Sequence, residues 1–303
     1  MYMNYNEFKT KLIDDLENKL NDEFDISFNK IYKINESYDA MTISKDNIGV
    51  NINLNKQYRM YLDNSYDYAY HSAIHIIEEG FRNKPNIDMK ELYDYNVMKN
   101  KLFIEIISIK SNTDLLKSVP YKQIEDMAIV YRFLLNNDNG RASILITNQI
   151  LHTLNIDENR LHNDAIKNAQ IINPMIINDL SEVLSEMMNE DYSTKERIFI
   201  ASVADKIHGA CVIAYKGFME QASLKAGGDF YLLPSSIHEV LIVPDNGHFR
   251  LEDLQVMVKE VNENEVDEID QLTDSVYHYD HKEQLFELGE KYLQRLNALY
   301  SHI

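Results

Sequence analysis

The segment from Phe230 to Asp245, FYLLPSSIHEVLIVPD, constrains the fold more than any other part of this 303-residue chain. Two short apolar runs flank a Pro-Ser-Ser turn, and the His238-Glu239 pair interrupts the second run. Apolar runs of this length, bounded by turn residues, are typical of buried β-strands. The segment therefore predicts two buried strands joined at a bend that carries hydroxyl, imidazole and carboxylate groups.

The N-terminal region has the pattern of a helix followed by a small sheet. Apolar residues at helical spacing predict an amphipathic helix over about residues 5–21. The β-rich runs ISFNKIY, DAMTIS and GVNINL come next and are separated by turn residues, which predicts a three-stranded meander. A second helix is predicted from about Tyr66 to Phe81, with Lys84-Pro85 preventing its continuation.

The rest of the chain alternates predicted strands and helices. The firmest of these predictions is a hairpin whose strands, 127–135 and 141–147, flank Asn-Asn-Asp-Asn-Gly. A helix opened by Pro174 is expected to present Ile177, Leu180, Val183, Leu184 and Met187 on one face. The remaining predicted strands are 101–109, 198–203, 209–215, 229–234, 238–243 and 275–279, and the remaining predicted helices are 157–170, 217–226, 250–262 and 282–300.

This order predicts an α+β fold with antiparallel or mixed sheets of hairpins, helices packed on one side, and two subdomains. The first subdomain is expected to span residues 1–92, and the second, larger one residues 93–303. The polar stretch 189–196 has no apolar periodicity, so we expect a linker there that could serve as a hinge.

Composition favours a globular protein of the cytoplasm. The formal net charge of −19 opposes binding to nucleic acid and to anionic membranes. The N-terminus lacks the apolar region of a signal peptide, and no window approaches the ~18 consecutive apolar residues of a membrane span. The lone cysteine, Cys211, excludes an internal disulfide and fits a reducing compartment.

The bend in the Phe230–Asp245 segment contains the candidate catalytic residues Ser235, Ser236, His238 and Glu239. Either hydroxyl could act as a nucleophile beside the imidazole, and Asp280 or His281 could join them from the last predicted strand. However, alternation along a strand that starts at Ile237 would direct His238 and Glu239 to opposite faces. A capped turn, with hydroxyls satisfying backbone groups, is the alternative interpretation that this pattern favours.

The second predicted helix contains a candidate metal site. His71, His75 and Glu79 are spaced four residues apart and share one helix face, as divalent-metal ligands can. The intervening glutamate of the metalloprotease motif is missing, so an exposed polar face is the competing interpretation. Glycine-rich phosphate loops, dinucleotide motifs and Cys-x-x-Cys pairs are also missing, and we expect no cofactor.

Several segments together resemble an uncharacterised bacterial family, a domain of unknown function whose genes often lie among mobile-element genes. The likeness covers most of the chain and is strongest in the C-terminal half; more distantly, the chain resembles a second uncharacterised family of small cytosolic α+β proteins. Neither resemblance implies an activity or catalytic residues, and His71 and His75 depart from the first family's pattern. The similar segments are 119–135, 140–151, 209–221, 230–245, 254–266 and 272–280.

These observations predict a non-catalytic protein that binds or regulates another protein. The resemblance adds the expectation of a mobile-element origin. Two alternatives stay open: a serine or metal-assisted hydrolase centred on PSSIHE, and an acidic decoy that occupies a nucleic-acid-binding protein. Convergence of His238 with another titratable group would favour the hydrolase. The oligomeric state is not predicted.

Overall fold

The computed structural model describes residues 2–20, 23–46, 48–83, 89–137, 140–192 and 197–300. The chain forms two compact units, Met1–Ile87 and Asp88–Ile303, where the sequence predicted a boundary at 92. Both units combine helices with antiparallel sheets, so the predicted α+β class is confirmed. In the described part of the chain, no helix has the length and apolar content needed to cross a membrane.

The first unit is a helix, a meander and two further helices. The predicted meander is confirmed as an antiparallel sheet in the order β1-β2-β3. The helix α2 was missed by the sequence analysis; it follows β3 directly, and Asn53 caps it by accepting a hydrogen bond from the Lys56 N–H. The elements are α1 (Tyr5–Lys19), β1 (Asp25–Lys33), β2 (Glu36–Lys45), β3 (Ile48–Asn53), α2 (Leu54–Asp63) and α3 (Tyr66–Arg82).

A single hydrophobic core holds this unit together. The buried stripe of α1 packs with one face of the sheet and with α2 and α3. These side chains are spaced three or four residues apart on the helices and two apart on the strands, so each element buries one face. The main contributors are Phe8, Leu12, Leu16, Met41, Ile43, Ile52, Ala73 and Ile77.

The second unit contains two antiparallel sheets. In the four-stranded sheet, β6 pairs with β4, β5 and β7, and the predicted 127–147 hairpin is confirmed as β6 and β7, although residues 138 and 139 of its turn lie outside the described residues. In the six-stranded sheet the order is β13-β12-β10-β11-β9-β8, so β8 and β13 are the edges. The strands are β4 (Leu102–Ser108), β5 (Lys122–Ile124), β6 (Met127–Asn137), β7 (Gly140–Leu145), β8 (Met175–Asp179), β9 (Phe199–Val203), β10 (Phe230–Leu233), β11 (Val240–Pro244), β12 (Tyr277–Asp280) and β13 (Leu285–Leu288).

One helix of this unit, Leu251–Asn264, covers part of the six-stranded sheet. Leu251, Leu254 and Val258 of α10 pack on Tyr231, Val243 and neighbouring side chains of the six-stranded sheet. The helices are α4 (Met89–Leu92), α5 (Tyr95–Met98), α6 (Asn148–Thr153), α7 (Glu158–Ile172), α8 (Leu180–Met188), α9 (Phe218–Ala226), α10 (Leu251–Asn264) and α11 (Gly289–Tyr300), with 3₁₀ turns at Lys99–Lys101, Leu115–Lys117 and Gly209–Ala214.

Three predicted elements were wrong. The helix expected from Pro174 is the strand β8 followed by α8, because Met175–Asp179 pairs with β9. The strand expected at 209–215 is a 3₁₀ helix, and the terminal helix expected at 282–300 is divided into β13 and α11. The strand expected at 238–243 is present as β11, which begins two residues later than predicted, at Val240. Of the predicted hinge at 189–196, residues 193–196 lie outside the described residues.

Candidate functional site

The bend between β10 and β11 lies outside both strands. Ser235 to Glu239 form a loop that is fastened to a second loop by backbone hydrogen bonds. The Ile237 N–H donates to the Asp270 carbonyl over 2.8 Å, and the Leu272 N–H donates to the Ser235 carbonyl over 2.9 Å. The predicted strand alternation at His238 and Glu239 therefore does not apply. Glu239 is exposed, whereas His238 is partly buried.

The Ser236 hydroxyl serves the backbone of this loop. Its Oγ accepts a hydrogen bond from the His238 N–H over 3.0 Å, two residues ahead. Such short side-chain contacts stabilise turns. The Ser202 hydroxyl, from β9, donates to the His238 carbonyl over 2.8 Å. Ser236 thus has the structural role that the capped-turn interpretation expected.

His238 does converge with other titratable groups, but not with Glu239. The backbone N–H of His208 donates to Nδ1 of His238 over 3.2 Å. Because Nδ1 accepts this bond, the proton of the neutral imidazole lies on Nε2, which is 3.3 Å from an Asp270 carboxylate oxygen. The two imidazole rings are 5.5 Å apart between centroids. His238 and Asp270 are each 35% exposed.

His208 lies above a buried ion pair. Its Nε2 is 3.5 Å from Oε1 of Glu105, a carboxylate on β4 whose side chain is only 3% exposed. Arg132, on β6, lies 3.3 Å from the other Glu105 oxygen and donates a further bond to the Ser143 hydroxyl. Burial of the imidazole lowers the pKa of His208 below its ordinary 6.5, although the nearby Glu105 carboxylate acts in the opposite direction. His208 is therefore held neutral near pH 7.

The backbone around His208 adopts a conformation that L-residues rarely take. Lys206 and His208 have φ angles of 58° and 55°, in the left-handed region. The next residue, Gly209, packs so closely on the Ser202 hydroxyl and the His238 carbonyl that a Cβ has no room there. Strained backbone of this kind persists only where its surroundings hold it, and it is common at functional sites.

The predicted metal ligands do not form a site of their own. His71 and His75 are exposed on α3, and Glu79 lies in an ion pair with Arg82 and accepts a hydrogen bond from Asn83. Across the described ranges, no group of three or more His, Cys, Asp or Glu side chains is arranged to hold a metal ion. The helix thus gives the metal prediction no geometric support. His281, proposed as a partner of His238, instead contacts the Ser223 hydroxyl, and Asp280 pairs with Arg295.

A second candidate site is the open edge of the six-stranded sheet. In the described part of the chain, β8 pairs with β9 alone. The helix α8 that follows it has no buried residue, and its apolar residues Met187 and Met188 are 76% and 56% exposed. Contiguous exposed apolar surface is typical of interaction sites, and these two adjacent methionines contribute such surface beside β8.

The register between β8 and β9 determines which backbone groups of β8 face this edge. The Ala204 N–H donates to the Pro174 carbonyl, and the Leu180 N–H donates to the Ile198 carbonyl. In an antiparallel ladder, alternate residues direct both backbone groups to one neighbour. Even-numbered residues of β8 therefore bond to β9, and Met175, Ile177 and Asp179 direct their N–H and C=O groups to the open edge.

An apolar groove accompanies this edge. Its volume is about 430 Å³, and it lies between β8 and α9. The groove is lined by Met175, Ile177, Gln221, Leu224 and Lys225, of which Leu224 is 80% exposed. We call β8 together with this groove the β8 edge site.

A family model for a family of unknown function (DUF5688) matches residues 5–281. The chain belongs to this family. The resemblance to an uncharacterised domain is thereby confirmed. No curated protein and no solved structure matches the chain.

The residues of this DUF5688 member that sequence analysis missed are distant in sequence from the bend. His208, Glu105 and Asp270 reach His238 only through sheet pairing and loop packing. A weak signal was present at His208, where a histidine precedes a glycine between two apolar runs. The apolar residues of 177–187 were recognised, but they were expected to form one face of a single helix opened by Pro174.

Proposed function

We propose that this protein acts without catalysis, by binding an extended segment of a partner protein at the β8 edge site. The partner segment adds a seventh strand to the six-stranded sheet. The observation that carries this proposal is the row of backbone groups at Met175, Ile177 and Asp179, which no strand among the described residues pairs, next to an apolar groove. Strand addition obtains affinity from main-chain hydrogen bonds and specificity from pockets for alternate side chains.

The groove determines which side chains the partner presents. Met175 and Ile177 point to the same face of the sheet as Phe199, Ala201 and Val203, with which they are in register or adjacent. A partner strand at this edge would place alternate side chains on that face, above the groove. Apolar side chains are favoured there because the groove wall is formed by Met175, Ile177 and Leu224.

The acidic residues near the β8 edge determine which charge the partner segment should carry. Residues 175–192 contain five carboxylates, at Asp179, Glu182, Glu186, Glu190 and Asp191, and no Lys, Arg or His. Lys225 lines the groove, and Arg197 pairs with Asp179 at the end of β8. Complementary charge favours a segment that alternates apolar and basic residues.

The internal bonding of the bend supports a non-catalytic role. Nδ1 of His238 is occupied by the His208 N–H, and the Ser236 hydroxyl is occupied by the His238 N–H. A nucleophile and base pair needs these atoms to contact each other and a substrate.

The test uses a synthetic seven-residue peptide that alternates lysine and valine, with fluorescence anisotropy as the readout. We expect binding with a Kd of about 100 μM or tighter. The matched variants are Ile177→Pro and Ile177→Ala. Both lose the isoleucine side chain, but only proline also removes the backbone N–H that faces the edge. Proline should weaken binding about fivefold relative to alanine, since one hydrogen bond contributes roughly 1 kcal/mol.

Two results would overturn the proposal. One is equal affinity for the two Ile177 variants, which would place the peptide elsewhere. The other is a monomer–dimer equilibrium in sedimentation that Ile177→Pro abolishes, because the edge would then be covered by a second copy of the chain. The same peptide with a central proline is the ligand control.

Acid–base catalysis at His208 is a second candidate function. The observation in its favour is the convergence of two imidazoles with Glu105 and Asp270 beside strained backbone. If Nε2–H of His208 faces Glu105, Nδ1 is left as a proton acceptor. Turnover of any p-nitrophenyl ester or phosphate that falls about 100-fold in His208→Gln would support it. Absence of turnover, or turnover unaffected by His208→Gln, would reject it.

A further inference from the structure

A polar cavity lies in the second unit, with walls that contribute neither to the β8 edge site nor to the His208 contacts. Its volume is about 230 Å³. The walls come from the end of β4 and the turn after it, from the β5–β6 turn, from α10 and from the loop before β12. The polar side chains that line it include Ser108, Lys110, Ser111, Asp126, Asn262, Thr273, Asp274 and Ser275.

Asp126 organises one wall of this cavity. Its carboxylate accepts hydrogen bonds from the hydroxyls of Thr273, over 3.1 Å, and Ser275, over 2.8 Å, and also from Tyr277. Burial, reinforced by the Asp126 charge, raises the pKa of Tyr277 far above its ordinary value, so the phenol stays a donor. Because the Thr273 and Ser275 hydroxyls give their protons to Asp126, they can only accept from a further neighbour, and Thr273 Oγ1 already accepts one bond from the Ser275 N–H over 3.1 Å.

Asn262 places a buried amide oxygen in the wall of the cavity. The side chain lines the cavity and is 3% exposed. Its Nδ2 donates to the Thr273 carbonyl over 3.1 Å and to Oδ1 of Asp274 over 2.7 Å, which fixes the orientation of the amide. Within the described residues, the buried Oδ1 has no hydrogen-bond partner. Such atoms are rare in folded proteins and are commonly satisfied by a bound molecule.

The cavity walls select a ligand by hydrogen bonding. Asn262 Oδ1, Asp274 and the Asp126-bound hydroxyls are acceptors, whereas Ser108 and Ser111 hydroxyls and the Lys110 ammonium can donate. A molecule with several hydroxyl groups matches both kinds of wall, because each hydroxyl donates and accepts. An ammonium ligand would face Lys110, and a phosphate would face Asp126 and Asp274.

We infer that this cavity binds a small polyol or monosaccharide. At ~30 Å³ per water, the cavity has the bulk of about eight water molecules, which suits a polyol of about four to six carbons. The ligand donates a hydroxyl proton to Asn262 Oδ1 and accepts from the rim at Ser111 and Lys110. This site is separate from the proposed protein-binding edge, and neither depends on the other.

The test is a titration of the full ¹⁵N-labelled chain with xylitol, followed by two-dimensional NMR. We expect saturable shifts of the Asn262 side-chain NH₂ and of the Gln271–Ser275 amides, with a Kd of about 1 mM or tighter. Ser111→Phe should block the mouth of the cavity and weaken binding at least about tenfold. Thr113→Phe is the matched control, since Thr113 is exposed in the same turn and does not line the cavity.

Three outcomes would overturn the inference. Absence of saturable shifts with xylitol and with glucose would mean that the cavity holds only water. Binding of methylamine or inorganic phosphate in preference to xylitol would assign another ligand chemistry. Equal xylitol affinity in Ser111→Phe and Thr113→Phe would place the polyol outside the cavity.

Discussion

The backbone N–H of His208 donates a hydrogen bond to Nδ1 of His238, so two histidines thirty positions apart hold each other in place. This bond joins the loop after β9 to the bend between β10 and β11. It also determines which nitrogen of the His238 ring carries the proton. The bend singled out by the sequence is therefore built as much by His208 as by its own residues.

Removing the His238 ring should destabilise the second unit by about 1–2 kcal/mol, because the His208 N–H loses its acceptor. His238→Asn retains an acceptor in the side chain and should recover part of this loss. Urea unfolding of wild type, His238→Ala and His238→Asn measures the difference. Equal stabilities of the two variants would contradict a role for the hydrogen bond.

The lowered pKa of His208 should make stability depend on pH. The unfolded chain takes up a proton at the ordinary value of 6.5, whereas the folded chain resists it. The contribution of His208 to the free energy of unfolding is thus fully present above pH 6.5, and it is lost as the pH falls below 6.5 toward the pKa of the folded state. NMR titration should show that the His208 ring titrates below 6.5, and His208→Gln should flatten the acid limb of stability against pH. His162, whose pKa burial also lowers, is unchanged in that variant.

Glu105→Ala should destabilise the protein by about 3 kcal/mol, because it leaves the Arg132 guanidinium partly buried without its carboxylate. The double variant Glu105→Leu, Arg132→Met should lose less stability than the sum of the losses in Glu105→Leu and in Arg132→Met. Thermal and urea unfolding of wild type, these two single variants and the double variant gives this comparison. Strict additivity would show that the two charges do not stabilise each other.

The rate of backbone amide hydrogen exchange should alternate from one residue to the next along β8. The amides of Ile176 and Asn178 face β9 and should exchange slowly, whereas those of Met175 and Ile177 face the open edge and should exchange quickly. NMR-detected exchange in the protein alone is the measurement. Slow exchange at all four positions would mean that the edge is already covered.

Some elements were predictable because their signals are local. The meander of the first unit and the β6–β7 hairpin follow from short β-rich runs and the turn residues between them. Helix α7 was predicted from Asp157, which caps it by accepting a bond from the Arg160 N–H. In each case the residues that specify the element lie within it.

The β8–α8 segment shows where local pattern fails. Ile177, Leu180 and Leu184 fit helical spacing, yet Met175–Asp179 is extended because pairing with β9 satisfies its backbone. Short apolar runs fit strand and helix equally well, and only the presence of a neighbouring strand decides between them. The same ambiguity affected 209–214, where apolar side chains are buried by a 3₁₀ turn.

Local patterns in the amino-acid sequence were enough to predict the α+β class, the meander, the main hairpin and the position of the polar bend, since periodicity and turn chemistry act between neighbouring residues. The neighbours of that bend could not be predicted, because they depend on tertiary packing. Glu105, His208 and Asp270 reach His238 because separate strands and loops converge. The spacing of residues along the sequence does not indicate which distant elements will meet. The same reason applies to the open edge of β8 and to Oδ1 of Asn262, which has no hydrogen-bond partner among the described residues. Both features depend on which groups the folded chain places next to them.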